Sequence, residues 1–252
     1  MANNLLEALE GHWTLDEAAG STRLDSTANE NDAVENASTE SLTGVLGNAV
    51  HAGFGGAATK FLTIPNDPAF VFAENFTIAG FAYWQSTAGS AAIVGLWNAP
   101  LDRRSYSLIF AAASDGIQFA VAADGTADTD TLVIGPFNVT QQFVHFAAIH
   151  DAANNEIRIH VTPLTESEVV DAVTAAHAGG VFQNTTDTLD IGRFRGTTTI
   201  VGNSRIDELA IWRRALTVAD LNDHFNGGAG LDFSAWRLAT AVGSHGGYPY
   251  YF

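Results

Sequence analysis

Glu166 and Glu168, in the stretch LTESEVVD, are the nearest approach in this sequence to a pair of catalytic carboxyl groups. Retaining hydrolysis of a glycosidic bond needs two carboxyl groups about 5–5.5 Å apart, one acting as the nucleophile and the other as the acid. The residues around these glutamates are polar, which is typical of a solvated hairpin. We therefore predict that the two glutamates are not a catalytic pair.

The eight histidines form no zinc-binding pattern. None lies in an HExxH motif or four residues from another histidine, the spacing that places two imidazoles on one helix face. His145 and His150 flank a predicted strand, where a structural role is expected. The sequence also lacks a Gly-x-Ser-x-Gly elbow, a P-loop and a GxGxxG turn, so it predicts no catalytic residues and a protein that is not an enzyme.

Two acidic loops carry the ligands that calcium prefers, because hard cations bind carboxylate and carbonyl oxygens. The loop DSTANENDA and the loop DGTADTD supply the candidates, which are Asp25, Asn31, Asp32, Asp124, Asp128 and Asp130. The DGTADTD loop lacks the glycine and glutamate placement of an EF-hand. Solvated turns are the alternative, since aspartate closes turns through its own backbone.

The loop LWNAPLDRRSY, residues 96–106, has the composition of a sugar-binding site. Sugar rings have apolar faces and hydroxylated edges, so they bind to aromatic side chains that have polar groups beside them. The candidate glycan-binding residues are Trp97, Asp102, Arg103 and Tyr106, and the same loop carries Arg104. The alternative is a hydrophobic plug beneath a hairpin.

Charge and composition exclude several classes of partner. Acidic residues number 28 against 11 basic ones, and the formal charge of −17 would repel nucleic acid and anionic lipid headgroups. Such a surface remains soluble in strong salt, which suggests a marine or high-salt source. The chain has no cysteine, no secretory signal at its start and no apolar run long enough for a membrane span.

The dominant period of the sequence is two, which predicts strands. EIRIHV (156–161) alternates as a half-buried strand does, whereas FTIAGFAYW (76–84) is apolar on both faces, as in a central strand. Asp115-Gly116, Asp124-Gly125 and Asn154-Asn155 suit hairpin tips. Short strands joined by hairpins predict an all-β, antiparallel sandwich.

A short helix is predicted after the last strand. In RIDELAIWRRALTVADLNDHFNGG, Thr217 and Asp220 have the spacing of a capping box, and Asn226 begins a left-handed stop. We expect one sandwich domain over residues 1–233 and an aromatic, glycine-rich arm over 234–252.

Several segments in the same order resemble the laminin-G-like, concanavalin A-like lectin/glucanase superfamily. They include HWTLDEAAGSTRLDSTANENDA, NFTIAGFAYWQ, FVHFAAIHDAANNEIRIHV, LDIGRF and the C-terminal stretch quoted above, and they cover about residues 10–230. The resemblance implies a jelly roll of two antiparallel sheets whose first and last strands are neighbours. VTPLTESEVVDAV departs from the pattern, so we expect that hairpin to be remodelled.

The resemblance also implies chemistry to look for. It brings Asp16 and Asp207 together on the terminal strands, where several relatives hold a structural calcium; a hydrogen bond that ties those strands is the alternative. The glucanase branch uses a Glu-x-Asp-x-x-Glu pattern on one strand, which this sequence lacks. The superfamily hosts many functions, so architecture alone does not choose among them.

The combined prediction is a non-enzymatic, lectin-like adhesion protein on the surface of a virus particle, or otherwise extracellular, with calcium and a host glycan as candidate ligands. A glycan-active hydrolase and a free-standing lectin are the alternatives. We expect the arm to contact neighbouring subunits, in a homo-oligomer, or to fold back on its own sandwich. Its candidate contact residues are Trp236, Tyr248, Tyr250, Tyr251 and Phe252.

Overall fold

A computed structural model of the chain describes residues 4–52, 60–85, 89–127, 130–136, 141–195, 199–201 and 204–236, with the backbone alone at 199–201. The strands, in chain order, are β1 (Leu9–Trp13), β2 (Val34–Glu35), β3 (Glu40–Thr43), β4 (Asn48–Ala52), β5 (Leu62–Ile64), β6 (Phe76–Trp84), β7 (Ala91–Asn98), β8 (Arg103–Ala111), β9 (Gly116–Ala122), β10 (Asp130–Pro136), β11 (Phe143–Asp151), β12 (Glu156–Pro163), β13 (Val173–Ala176), β14 (Leu189–Ile191), β15 (Arg193–Arg195), β16 (Thr199–Val201) and β17 (Ser204–Trp212). The α-helix α1 (Val218–Phe225) follows them, and residues 233–236 at the end of the described chain are also helical.

The strands form two stacked sheets. The first has the order β13-β12-β11-β6-β17-β4-β3, and the second has the order β10-β9-β8-β7-β14-β5-β2 with β15 and β16 attached. Neighbours are antiparallel except where Arg195 of β15 meets Asn98 of β7. The predicted antiparallel jelly-roll sandwich with a short C-terminal helix is thereby confirmed.

The first and last strands are neighbours, as expected. Strand β17 pairs with β6 along one side, while its other side pairs with β4 through Ser204–Ile206 and with β1 through Leu209–Trp212. A bulge at Asp207 and Glu208 separates the two pairings, with Glu208 at φ 48°. It lies opposite Gly80, where a Cβ would come within 3.1 Å of the carbonyl oxygens of both acidic residues.

The main core lies between the sheets. It is rich in aromatic side chains, among them Trp13, Phe76, Tyr106, Phe119 and Phe146, all fully buried. The Phe72 and Phe76 rings stack at 4.8 Å, and Tyr106 lies 5.0 Å from Phe76. Burial of such side chains stabilises the fold by about 1.5–3 kcal/mol each.

A second apolar cluster covers the outer face of the first sheet. It joins Leu5 and Trp212 to Leu221 of α1 and to Trp236 near the C-terminal end of the described chain. The Trp212 Nε1 hydrogen donates to the Leu5 carbonyl oxygen at 2.6 Å. Because both faces of this sheet are covered, β6 is apolar on both sides, as its sequence predicted.

Strand β12 differs from its prediction. We expected His160 to face solvent, but it is 4% exposed, and its Nδ1 hydrogen donates to the Val170 carbonyl oxygen at 2.7 Å. The chain after β12 packs over this face and meets the helix, since the Val169 amide donates to Asn222 Oδ1. The VTPLTESEVVDAV hairpin, which we expected to be remodelled, thus covers the face of β12 that carries His160.

None of the described helices is both long and apolar enough to span a membrane.

Replacement of Thr217 by alanine tests the helix start. Thr217 and Asp220 form the predicted capping box, with the Asp220 amide donating to Thr217 Oγ1 at 3.2 Å. Thr217→Ala should lower the free energy of unfolding by about 1 kcal/mol. Urea unfolding measures this, and Thr217→Ser, which keeps the hydroxyl, should remain close to the parent protein. Equal losses in both variants would contradict a capping role.

Candidate functional site

The structure separates the four predicted glycan-binding residues. Tyr106 points into the main core, is 0% exposed, and its hydroxyl donates to the Phe70 carbonyl oxygen at 3.0 Å. Burial raises the pKa of Tyr106 above its ordinary range. A sugar at the surface therefore cannot contact Tyr106, and this part of the prediction is wrong.

Trp97 lies on the outer face of the second sheet and is only 6% exposed. Its ring packs with Ala120 and Ala122 of β9, and with Phe194 at a centroid distance of 5.8 Å. Its indole Nε1 is buried and finds no hydrogen-bond partner in the described chain. The alternative of a hydrophobic plug therefore describes Trp97, which cannot serve as an open platform in this conformation.

The two neighbouring arginines differ in exposure. Arg104 is 7% exposed and donates to Asp102 Oδ1 at 2.8 Å and to the Gly125 carbonyl oxygen at 3.1 Å. Asp102 ends the one-turn helix Ala99–Leu101 in a left-handed conformation, with its carboxylate toward solvent. The side chain of Arg103 is 29% exposed, and its Nε lies 3.1 Å from Asp187 Oδ2.

Arg103 belongs to a group that we call the arginine cluster, formed by Arg103, Asp187, Asp190, Arg193 and Arg195. Asp190 Oδ2 accepts from the Nε hydrogens of Arg193 and Arg195 at 2.7 and 2.8 Å. Arg195 also lies 3.5 Å from Asp187 Oδ1 and so joins the two carboxylates. The cluster unites β8, β14 and β15 with the loop before β14.

Neutral side chains also contact the residues of the arginine cluster. Asp187 accepts from Asn98 Nδ2 at 2.8 Å and from Asn184 Nδ2 at 3.0 Å. The guanidinium carbon of Arg193 lies 3.7 Å from the centre of the Phe61 ring. Burial lowers the pKa of Arg193, while Asp190 opposes that shift. The aspartates are buried and the arginine side chains are 20–29% exposed, so the positive groups form the surface.

The sequence prediction missed Arg193 and Arg195. The stretch LDIGRFR was interpreted only as a strand, although its arginines follow Asp190 by three and five residues. That spacing was a usable signal, because a turn at Gly192, with φ 79°, folds both guanidinium groups back onto the carboxylate.

The predicted calcium residues on the terminal strands instead hold one turn. Asp207 Oδ2 accepts from the backbone amides of Val45 and Leu46 at 2.6 and 3.1 Å. Asp16 Oδ1 accepts from the Asn48 amide at 2.5 Å. Both carboxylates thus tie the chain around the β3–β4 turn, close to the alternative of a strand-tying hydrogen bond. Calcium itself remains a prediction.

The other predicted metal ligands that the structure describes lie in loops, except Asp130, which begins strand β10. Asp25 accepts from the amides of His12, Thr27 and Asn31, and Asp32 Oδ1 accepts from the Asp25 amide. Asp124 Oδ1 accepts from the Thr126 amide, whereas Asp128 lies outside the described residues. In the described chain no group of three acidic or histidine side chains has metal-binding geometry.

The acidic bulge of β17 has an unusual electrostatic environment. Burial, followed by the charges of Glu208 and Asp16, raises the pKa of Asp207 to about 8 against the opposing effect of two amides. Burial together with Asp16 and Asp232 raises the pKa of Glu208 to about 8, and Glu208 Oε2 lies 2.8 Å from His12 Nε2. Both groups are at most 4% exposed, so a substrate cannot reach them.

The predicted arm begins inside the fold. Trp236 is fully buried beside Trp212 and His224, and its Nε1 hydrogen donates to the Leu231 carbonyl oxygen. Trp236 therefore follows the alternative of folding back on its own sandwich. Tyr248, Tyr250, Tyr251 and Phe252 lie outside the described residues. Glu166 and Glu168 are exposed, as expected for a solvated hairpin.

A cavity of about 360 Å³ lies away from the arginine cluster, between Phe72–Asn75 and Arg213–Arg214. Its arginines are already engaged, since Arg213 donates to the Val71, Pro68 and Ala69 carbonyl oxygens and pairs with Glu10. Few donors remain for a ligand there.

Asp207→Asn tests the buried carboxyl group. A carboxyl group with a raised pKa stabilises the fold fully below pH about 4, and this contribution is lost as the pH rises through about 8. Asp207→Asn removes that ionisation, so stability should fall less steeply over this window, by up to about 1.4 kcal/mol per pH unit. Urea unfolding from pH 5 to 9 measures the slope. Glu168→Gln, at an exposed site, is the control, and equal slopes for Asp207→Asn and the parent protein would contradict the assignment.

Comparisons with known proteins agree with the fold. A family model of the concanavalin A-like lectin/glucanases superfamily matches residues 55–222. Among solved structures, the binding domain of Paraclostridial Mosquitocidal Protein 1 superposes with a TM-score of 0.66 at 9% identity, covering 87% of this chain and 52% of that one. The botulinum neurotoxin serotype C1 binding domain gives 0.62 at 12% identity, covering 89% and 53%.

A third similar structure is the botulinum neurotoxin serotype D ligand binding domain in complex with N-acetylneuraminic acid, with a TM-score of 0.59 at 11% identity, covering 85% and 50%. The chain thus spans about half the length of these structures. No curated protein matches the sequence. By the family match over most of its length, and by the sandwich that it forms, the chain belongs to the concanavalin A-like lectin/glucanases superfamily.

Proposed function

We propose that this chain is a non-enzymatic, lectin-like binding module that holds an acidic glycan at the arginine cluster. The observation that carries the proposal is a local charge excess, because three guanidinium groups meet two carboxylates there. The whole chain has a formal charge of −17. A positive site on so acidic a protein suits a ligand with a negative group.

The other arginine ion pairs of the described chain show no such excess. Arg23 pairs with Glu35, Arg213 with Glu10 and Arg214 with Asp220, one to one. Arg104 lies near two aspartates, and Arg158 contacts Asp151 and Glu156. Among the ion-paired arginines of the described chain, only those of the arginine cluster outnumber the carboxylates that they meet.

The geometry of the cluster suits an acidic sugar. The terminal nitrogens of Arg103 donate to no acceptor in the described chain, so they are available for a carboxylate, which guanidinium binds with two parallel hydrogen bonds. Sulfate presents similar oxygens. One similar structure is titled as a complex with N-acetylneuraminic acid and another refers to two ganglioside molecules, which supports an acidic glycan as the class of ligand.

The module is proposed to act on the surface of a larger assembly, with a virus particle as the assembly suggested by the sequence, in a marine or high-salt environment. Non-enzymatic binding is supported by the placement of the acidic residues, because Glu166 and Glu168 are exposed whereas Asp207 and Glu208 are buried. A hydrolase would release sugar products from the glycan that it binds.

Arg103→Ala tests the binding site. A glycan panel with neutral, carboxylated and sulfated members, probed with calcium and then with chelator, should show binding of acidic glycans. Loss of a charge-assisted pair should weaken binding at least about tenfold, since such bonds contribute about 1.5–3 kcal/mol. Arg103→Lys should give an intermediate loss, because lysine keeps the charge without the planar fork.

The matched control is Arg158→Ala, which removes an arginine of similar exposure from the first sheet. It should bind acidic glycans as the parent protein does. Binding of neutral glycans alone, or equal affinity of Arg103→Ala and the parent protein, would overturn the proposed site. Release of sugar products would favour the hydrolase.

Removal of residues 237–252 tests the proposed assembly. If Tyr248, Tyr250, Tyr251 and Phe252 contact neighbouring subunits, the shortened chain should sediment as a smaller species than the full chain at equal concentration. Trp236 remains in this variant, so its packing against Trp212 is kept. If the shortened chain and the full chain form particles with the same number of subunits, the proposal is contradicted. Glycan binding should be the same in both.

A further inference from the structure

Two histidines meet beneath helix α1. His145 lies on β11, and His224 lies in the last turn of α1. His145 Nε2 is 2.9 Å from His224 Nδ1, and the residues are 0% and 1% exposed. At this distance one of the two facing nitrogens carries a hydrogen and the other accepts it with a lone pair. The hydrogen bond is lost when both facing nitrogens are protonated.

Aromatic rings enclose the pair. Phe81 lies 5.2 Å from His145 and 5.9 Å from His224, and Phe225 lies 5.4 Å from His145. Trp212 and Trp236 lie 5.6 and 5.3 Å from His224. His145 Nδ1 is buried and has no partner in the described chain. An added proton there would have no acceptor in the described chain.

The charged groups on neighbouring elements do not compensate a positive charge on the pair. His160 of β12 and His12 of β1 act on the pair, and each would repel further positive charge once protonated. The nearby acids are engaged elsewhere. Glu208 of β17 contacts His12, and Asp207 holds the β3–β4 turn. Asp220 of α1 pairs with Arg214, and Asp232 accepts from Ser234. Asp223, also on α1, is partly exposed.

We propose that the His145–His224 pair is an acid-sensitive latch, which holds helix α1 and the chain that follows it on the first sheet at neutral pH and releases them in mild acid. The helix can leave the first sheet without disrupting it, because its side chains alone hold it there. It attaches through the buried Leu221, His224 and Phe225 and through the hydrogen bond from the Val169 amide to Asn222, and it pairs with no strand. The hydrogen-bonded sheets do not depend on it for their register.

The direction in which pH changes the docking of the helix follows from proton linkage. Burial lowers the pKa of His145 well below its ordinary value, and burial lowers that of His224 to about 3. A group with a lowered pKa in the docked state favours docking above its free value near 6.5, and this preference is lost as the pH falls below that value. Each histidine can therefore increase the opening constant by up to about tenfold per pH unit.

Hydrogen exchange of the full chain tests the latch between pH 7.5 and 4.5, with rates corrected for intrinsic exchange. Peptides that cover 217–229 should lose protection below pH about 6.5, while peptides of β6 keep theirs. The double variant His145→Gln with His224→Gln keeps polar side chains without titration, so the helix should lose protection by less than about threefold over this range.

His160→Gln is the matched control. His160 is another buried histidine on the same sheet with a lowered pKa, but it bonds to Val170 rather than to the helix. This variant should keep the acid response of the helix. Retention of the response in the double variant would overturn the latch, as would loss of protection in α1 and β6 together, which would mean global unfolding.

A measurement on the parent protein covers the case in which the double variant does not fold. The imidazole proton resonances of His145 and His224 should titrate together with the loss of helix protection. Titration without release of the helix would overturn the proposal, as would helix protection that is constant to pH 4.5. Neither measurement requires a glycan, so the latch can fail or succeed independently of the proposed function.

Discussion

Strand β17 is the constraint on which the architecture depends. One of its sides pairs with β6, while the other must serve both β4 and β1, two strands that are distant in sequence. The bulge at Asp207 and Glu208 makes this division possible, because an extra residue changes the direction and twist of a strand. Gly80 admits the bulge, and Asp207 then ties the β3–β4 turn at the point where the two partners separate.

The divided strand determines what lies on the outer face of the first sheet. It brings His12 and Trp212 to that face, beside His145 and Phe81 of the neighbouring strands, so a large aromatic surface must be covered. Helix α1 and Trp236 supply the cover. The polar atoms carried inward with these rings must pair with each other, since a buried polar group without a partner is costly. The contacts of His12 with Glu208 and of His145 with His224 are consequences of that burial.

Local signals predicted the local structure well. The two-residue period located β6 at residues 76–84, and the capping spacing located the start of α1, because both depend on neighbours in sequence. The site depended on distant partners. A register shift between Leu96 and Trp97 places the loop so that Trp97 packs on β9 while Tyr106 enters the core. Arg103 meets Asp187, which lies far away in the sequence, and no spacing rule predicts such a contact.

The net charge of the protein and the positive charge of its candidate site both follow from how the acidic and basic side chains are distributed. A formal charge of −17 means that carboxylates outnumber basic groups, so most arginines here are neutralised by the acids beside them. In the arginine cluster the two aspartates are buried, and low-dielectric surroundings strengthen their hold on the guanidinium groups. Because the ion pairs order the arginines before a ligand binds, binding costs less additional side-chain entropy, and the Arg103 side chain remains 29% exposed. An acidic ligand would then meet donors that are already ordered, while the acidic surface elsewhere repels it, which confines binding to this one face.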